Sequence, residues 1–201
     1  MMFMKKQIFS SLIFLCLFFV LGQAQDGERR FQLAAVAGFN MAQLDGDDLV
    51  GYNQIGLNAG AKLYTNLAEK WRFSFEMLFS QQGSNRGAND PLSAAVDKIR
   101  LNFVEVPFLI HFQDWKFEIG TGVSYSRLID YTTIDFTGED VSDLQDYSTD
   151  IVTWVGDVNF FFQENIALNV RWSKNINSIR ADEGAGRLIG KFVTVRGIYL
   201  F

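Results

Sequence analysis

The sequence predicts an all-β fold: an eight-stranded antiparallel transmembrane up-and-down β-barrel with short periplasmic turns and longer extracellular loops. Three observations carry this expectation: an export-type amino terminus, eight stretches of period-2 alternation, and connections that alternate between short and long. In such a strand one face meets lipid while the other points into the barrel, so apolar and polar residues take turns.

The amino terminus sets the compartment. Lys5 and Lys6 precede an apolar run from Ile8 to Leu21, which ends in Gly22-Gln23-Ala24. A basic start, an apolar core and small residues before the break read as a secretory signal cleaved after Ala24. A membrane anchor is the alternative, but the run is shorter than the roughly 20 residues that cross a bilayer. The expected organisation is therefore a signal peptide at 1–24, a short periplasmic segment at 25–30 and a barrel domain at 31–201. Cys16, the single cysteine, lies within the signal, so the mature chain has no disulfide and no thiolate chemistry. Removing Lys5 and Lys6 leaves 16 of the 18 basic residues against 23 acidic ones, a net charge of −7. That balance excludes a basic nucleic-acid footprint.

Eight alternating segments follow. The first is Phe31 to Leu44, the second Ile55 to Thr65. In the third, Trp71, Phe73, Phe75, Met77 and Phe79 alternate with Arg72, Ser74, Glu76, Leu78 and Ser80. The fourth, Ile99 to Phe112, sets Val104, Val106, Phe108 and Ile110 against Glu105, Pro107 and His111. The remaining four run Trp115 to Ile129, Asp150 to Phe162, Ile166 to Ser173 and Gly190 to Phe201. Seven of them cover the roughly 9–11 residues of a tilted membrane strand, and Ile166 to Ser173 falls one short. The last ends the chain on an aromatic residue behind an apolar face, the form of a closing outer-membrane strand.

The turns test the register. Flanking residues of a tight hairpin share a face. Phe112 and Trp115 around Gln113-Asp114, Phe162 and Ile166 around 163–165, and Thr65 and Trp71 around 66–70 all fit. Longer connections lie near 45–54, 85–98, 130–149 and 177–189. A soluble eight-stranded barrel would put its bulky residues inside. Here Gly, Ser, Asn, Lys, Arg and Glu occupy the face opposite the bulky one, so the bulky face is the outer one.

Aromatic residues gather at strand ends. Trp71, Trp115, Phe162, Tyr199 and Phe201 form an expected periplasmic girdle, and Tyr125, Trp154 and Trp172 an outer one. On the inner face, Glu76, Asp157, Arg171 and Arg196 count to a similar depth, with Glu105 slightly higher and Glu118 and Lys62 lower. Two acids and two arginines at one level would satisfy each other as a structural plug. A proton or ion relay is the sharper alternative.

Four stretches carry a family likeness: Gly38-Phe39-Asn40-Met41-Ala42-Gln43-Leu44, Phe75-Glu76-Met77-Leu78-Phe79-Ser80-Gln81-Gln82-Gly83, Val104-Glu105-Val106-Pro107-Phe108-Leu109-Ile110 and Ile119-Gly120-Thr121-Gly122-Val123-Ser124-Tyr125. With these the chain resembles the PorT-like outer-membrane β-barrel proteins of Bacteroidota, with Phe75 where that family has proline and Gln82 where it has lysine. The resemblance implies a porin-like barrel rather than an activity; a namesake's link to type IX secretion is its only functional implication.

Catalytic residues, cofactors and metals are not expected. His111 lies near a short turn on the inner face, away from the outer rim where barrel enzymes work. Asp45-Gly46-Asp47-Asp48 and Glu139-Asp140 with Asp143 and Asp146 lack calcium-loop spacing and read as hydrated acidic loops. The expected role is a small non-enzymatic structural or accessory barrel of the outer membrane with a side-chain-filled lumen. Its expected partners are outer-membrane lipid and lipopolysaccharide, the barrel-assembly machinery, and an envelope or secretion protein. The alternatives are an interaction or ligand-binding barrel using loops 130–149 and 177–189, a type IX-like accessory, and a narrow pore.

Overall fold

The computed structural model describes residues 30–47, 49, 51–87, 90, 96–182 and 186–201. The expected signal at 1–24, residues 25–29 and Asp48 lie outside the described residues. The barrel unit comprises Phe31–Phe201.

Eight strands form it: β1 Phe31–Asp45, β2 Gln54–Ala68, β3 Trp71–Asn85, β4 Val96–Asp114, β5 Phe117–Asp135, β6 Asp150–Gln163, β7 Ile166–Asn175 and β8 Ile189–Leu200. All neighbours are antiparallel, and β8 pairs with β1 to close the sheet. Closure removes both edges, so every ladder has a partner. Pairing followed from Leu33 through Leu63, Phe75, Phe108, Val123, Trp154, Lys174 and Lys191 returns to β1 at Gln43, ten residues further along. A stagger of that size over eight strands tilts them by about 40° and leaves an interior just wide enough for side chains.

The alternation places each side chain. Phe31, Leu33 and Phe39 of β1, Ile55 and Leu57 of β2, and Met77 of β3 are exposed, while Asn40, Asn58, Lys62 and Glu76 between them are buried. This is the inverse of a soluble barrel. Gly38 shows how tightly the wall curves: a Cβ there would stand 2.1 Å from the Val195 carbonyl oxygen.

Two short turns sit elsewhere than the sequence suggests. The β4–β5 turn is Trp115-Lys116, because β4 continues to Asp114, which pairs with Phe117. Trp115 therefore starts no strand; it takes φ 55° in the turn and is exposed. The β2–β3 turn is Glu69-Lys70, with Ala68 opposite Trp71 and a bulge between Asn66 and Ala68. A second bulge between Phe161 and Gln163 precedes the β6–β7 turn. Each bulge inserts one residue and so restores the facing that an even loop would otherwise break.

At the other end the strands outrun their alternation. β4 starts at Val96 and β5 continues to Asp135, several residues beyond the apolar pattern. There the ladder is held by polar side chains such as Asn102 Nδ2, which donates to Asp130 Oδ2 at 3.0 Å. The β5–β6 and β7–β8 connections meet through a bridge between Tyr147 and Arg180, and Ser148 N donates to the Ile179 carbonyl at 2.7 Å.

Candidate functional site: the charged interior and the aromatic rims

The inner wall carries four buried cations, Lys62, Arg72, Arg171 and Arg196, and four buried carboxylates, Glu76, Glu105, Glu118 and Asp157. Their numbers balance. Glu76 is the hub: Arg171 Nη2 reaches its Oε1 at 2.7 Å, Arg196 Nη2 its Oε2 at 2.9 Å, and Lys62 Nζ lies 3.1 Å from Oε1. Arg171 Nη2 also contacts Asp157 Oδ2 at 2.8 Å. Thus β2, β3, β7 and β8 are cross-linked through one carboxylate, and β6 joins them through Asp157 and Arg171. Isolated charges at this depth would cost several kcal/mol each, and the pairing around Glu76 offsets that cost for its members. Asparagines complete the shell: Arg196 Nε donates to Asn169 Oδ1 at 2.7 Å and its Nη1 to Asn58 Oδ1 at 3.2 Å.

Glu105 stands apart from this hub. Its Oε1 accepts from Ser124 Oγ at 2.9 Å, its Oε2 has no hydrogen-bond partner, and no ion pair holds it among the described residues. Conversely, Lys62 belongs to the hub although counting placed it lower. The turn at 69–70 together with the bulge between Asn66 and Ala68 sets Lys62 opposite Glu76, whereas a turn spanning 66–70 sets it opposite Ser74.

A second group lies toward the short turns. Arg72 Nη1 contacts Glu118 Oε2 at 3.0 Å and its guanidinium lies 4.2 Å from the Tyr64 ring centre. Asn159 also donates to Glu118. His111 Nε2 is 2.7 Å from Ser74 Oγ, and its Nδ1 stands 3.4 Å from Glu118 Oε1 and 3.5 Å from Asp157 Oδ1. Ser74, His111 and the two acids are all buried.

Apolar clusters flank the charges. Toward the long loops, Leu44, Ile99, Leu101, Phe103 and Ile151 pack with the loop residues Tyr147, Ile179 and Leu188. Toward the short turns, Ala34, Val36, Tyr64, Phe161, Ala167, Ile198 and Leu200 form another cluster, with Leu78. The lumen is a packed core with a polar waist.

Outside, aromatic rings follow the short-turn rim. Trp71 packs on Phe112 at 5.3 Å, Trp115 on Phe117 at 6.2 Å, and Tyr199 on Phe201 at 5.3 Å. Phe117, Phe160 and Phe162 continue the row at 5.0 and 4.9 Å. Phe112, Phe117 and Phe160 were not singled out in the sequence, where their place in alternating runs hid their shared height. Nearer the long loops, Trp154 and Trp172 meet edge to face at 5.4 Å, while the Tyr125 hydroxyl donates to Asp150 on the adjacent strand.

The acidic loops are held by hydrogen bonds to backbone amides and serine hydroxyls. Asp47 accepts from Leu49 N at 3.1 Å and from Ser84, and Asp140 accepts from Ser142 N at 3.0 Å. The Ser142 hydroxyl and amide hold the Asp140 carboxyl below the ordinary aspartate value.

This geometry agrees with the comparisons. The outer membrane protein beta-barrel domain family matches residues 23–180. The chain belongs to that family. It is thus an outer-membrane β-barrel of eight strands. Among solved structures it is similar to Ail, the attachment invasion locus protein of Yersinia pestis, at 12% identity and a TM-score of 0.52, covering 85% of this chain and 99% of that one. Neisserial surface protein A is similar at 13% identity and a TM-score of 0.51, covering 88% and 100%. At such identities the likeness is one of fold. A comparison with curated proteins finds no match.

Proposed function

We propose that this protein is a non-conducting, non-enzymatic outer-membrane barrel whose work is done by its outer surface and loops. The observation that carries this is the interior itself: Glu76 bound by Arg171, Arg196 and Lys62, between two apolar clusters. A file of water or ions would have to separate buried pairs and then part Phe103, Ile151 and Leu44. In this reading the signal at 1–24 is cleaved, the short turns and both barrel termini face the periplasm, and the long loops face outward. The PorT-like affiliation belongs to the same proposal.

One arrangement favours the enzyme alternative, and its surroundings argue against it. Ser74, His111 and Glu118 lie in the order of a nucleophile, base and orienting acid, although His111 Nδ1 forms no hydrogen bond to Glu118 at 3.4 Å. Yet each is fully buried inside the wall, so a substrate carbonyl has no route to Ser74 Oγ. The group is better read as packing for the Arg72 side of the charge layer. Purified barrel reconstituted in planar bilayers tests the main reading. It should give no discrete conductance steps, and steady openings in the unmodified protein would refute it.

A further inference from the structure

On the lipid-facing side of β6, β7 and β8, close to the long loops, Trp154, Lys174, Asn175, Ile176, Arg187 and Ile189 line a cleft of about 370 Å³. We propose that this cleft holds a phosphate group of an outer-leaflet glycolipid, with Lys174 and Arg187 as its ligands. The inference rests on the outward-facing orientation of the long loops given above.

Four observations converge. First, Lys174 points away from the lumen, on the strand face where lipid lies, and makes no ion pair among the described residues. Its cross-strand neighbours are Trp154 and Lys191, so no carboxylate on either adjacent strand faces it. Lys191 is already engaged by Asp45.

Second, Arg187 is fixed by its own chain rather than by an acid. Its Nη2 donates to the Ile176 carbonyl at 3.3 Å, which spans the opening of the β7–β8 connection, and no ion pair holds Arg187 among the described residues. Third, among the described residues no acidic side chain lines the cleft, although the protein as a whole has an excess of acids. Two unneutralised cations around a concavity in an acidic protein mark a place for an anion.

Fourth, the height is that of the headgroups. The Trp154–Trp172 pair forms part of the outer aromatic rim, where indole rings sit at the membrane interface. Lys174 is one step nearer the loops than Trp172 on the same face of the strand. Ile176 and Ile189 provide an apolar flank on which acyl or sugar carbons could rest, while the cations address the phosphate.

The test uses the purified, folded full-length mature barrel in detergent, titrated with phosphorylated lipid A and with the same lipid A dephosphorylated. Native mass spectrometry reads the bound fraction, and heat-modifiable gel migration verifies that each variant is folded. The wild type should favour the phosphorylated lipid. K174Q/R187Q should weaken its binding by about tenfold and remove the preference. K70Q/K116Q, which removes two lysines at the opposite rim, should leave it unchanged. Equal binding of both lipids by the wild type overturns the site, as does full retention of binding in folded K174Q/R187Q. An equal loss in K70Q/K116Q overturns it too, since it would indicate general charge attraction. Conductance is read separately, so failure of the lipid site and failure of the sealed-barrel reading remain distinguishable.

Discussion

Arg171 on β7 and Glu76 on β3 meet across the lumen at 2.7 Å, both buried from water. Because Glu76 also binds Arg196 and Lys62, loss of any one cation changes the balance around a single carboxylate. Removing one partner of a buried pair costs about 3–5 kcal/mol, since the remaining charge keeps its desolvation penalty. R171L additionally leaves Asp157 without its arginine. We expect R171L to lower urea-unfolding stability in detergent by roughly that amount. A change within about 0.5 kcal/mol would show that water already compensates these charges.

The same variant should remain electrically silent. The apolar clusters above and below the charge layer contain neither Arg171 nor Glu76, so they stay in place. The packing that matters for closure toward the loops is Phe103 with Leu44, Leu101 and Ile151. F103A should cost about 3–5 kcal/mol and is the substitution most suited to producing conductance. Planar-bilayer recordings of R171L and F103A side by side decide this: steps in R171L but not in F103A would place the barrier in the charges.

Ser74 should be chemically inert. Its hydroxyl lies 2.7 Å from His111 Nε2, which alone would suggest activation. Burial in the wall withholds it from any reagent. A fluorophosphonate probe applied to the native barrel should leave Ser74 unlabelled, as peptide mass spectrometry would show. Labelling of the wild type that disappears in S74A would overturn the non-enzymatic reading.

How much of this was legible in the sequence depended on the turns. Face assignment needed only parity, and parity survives an apex that slips by two residues, as at 113–114 against 115–116. Depth does not survive it. Taking 163–165 as the β6–β7 turn gives the register that sets Asp157 opposite Arg171. Taking 66–70 as the β2–β3 turn moved Lys62 two residues away from Glu76. Glu118 moved in the same way, from opposite Leu109 to opposite Gln113. The Ser74–His111 contact was illegible for a different reason: residues on facing strands that differ by two positions touch only through side-chain direction. The Lys174–Arg187 cleft involves a loop residue, whose position alternation does not encode.

Gly38 and Gly197 are neighbours across the β1–β8 seam with opposite demands. Gly38 faces inward, where an added Cβ would meet the Val195 oxygen at 2.1 Å and Arg196 Cα at 2.4 Å. Gly197 faces lipid, and a Cβ there meets nothing nearer than the Ala37 oxygen at 4.0 Å. Overpacking typically costs 1–3 kcal/mol, so G38A should lower stability by about that much while G197A stays near wild type. Urea titration in detergent compares them directly; equal effects would mean that the seam relaxes freely around Gly38.

Phe201 lies just beyond β8, with its amide donating to the Leu33 carbonyl at 2.9 Å and its ring packed on Tyr199. Its amide therefore extends the closing seam by a hydrogen bond, while its ring packs along the end of its own strand. A single such bond contributes about 1 kcal/mol, too little to decide whether the finished barrel stands. In the proposed reading, the exposed Phe201 ring is recognised by the barrel-assembly machinery before the seam closes. Deletion of Phe201 should then leave protein refolded in detergent within about 1 kcal/mol of wild type. In cells the same deletion should sharply reduce the heat-modifiable, membrane-embedded fraction. The two assays separate the roles: equal losses in both would make Phe201 a structural closure residue, whereas loss only in cells makes it an assembly signal.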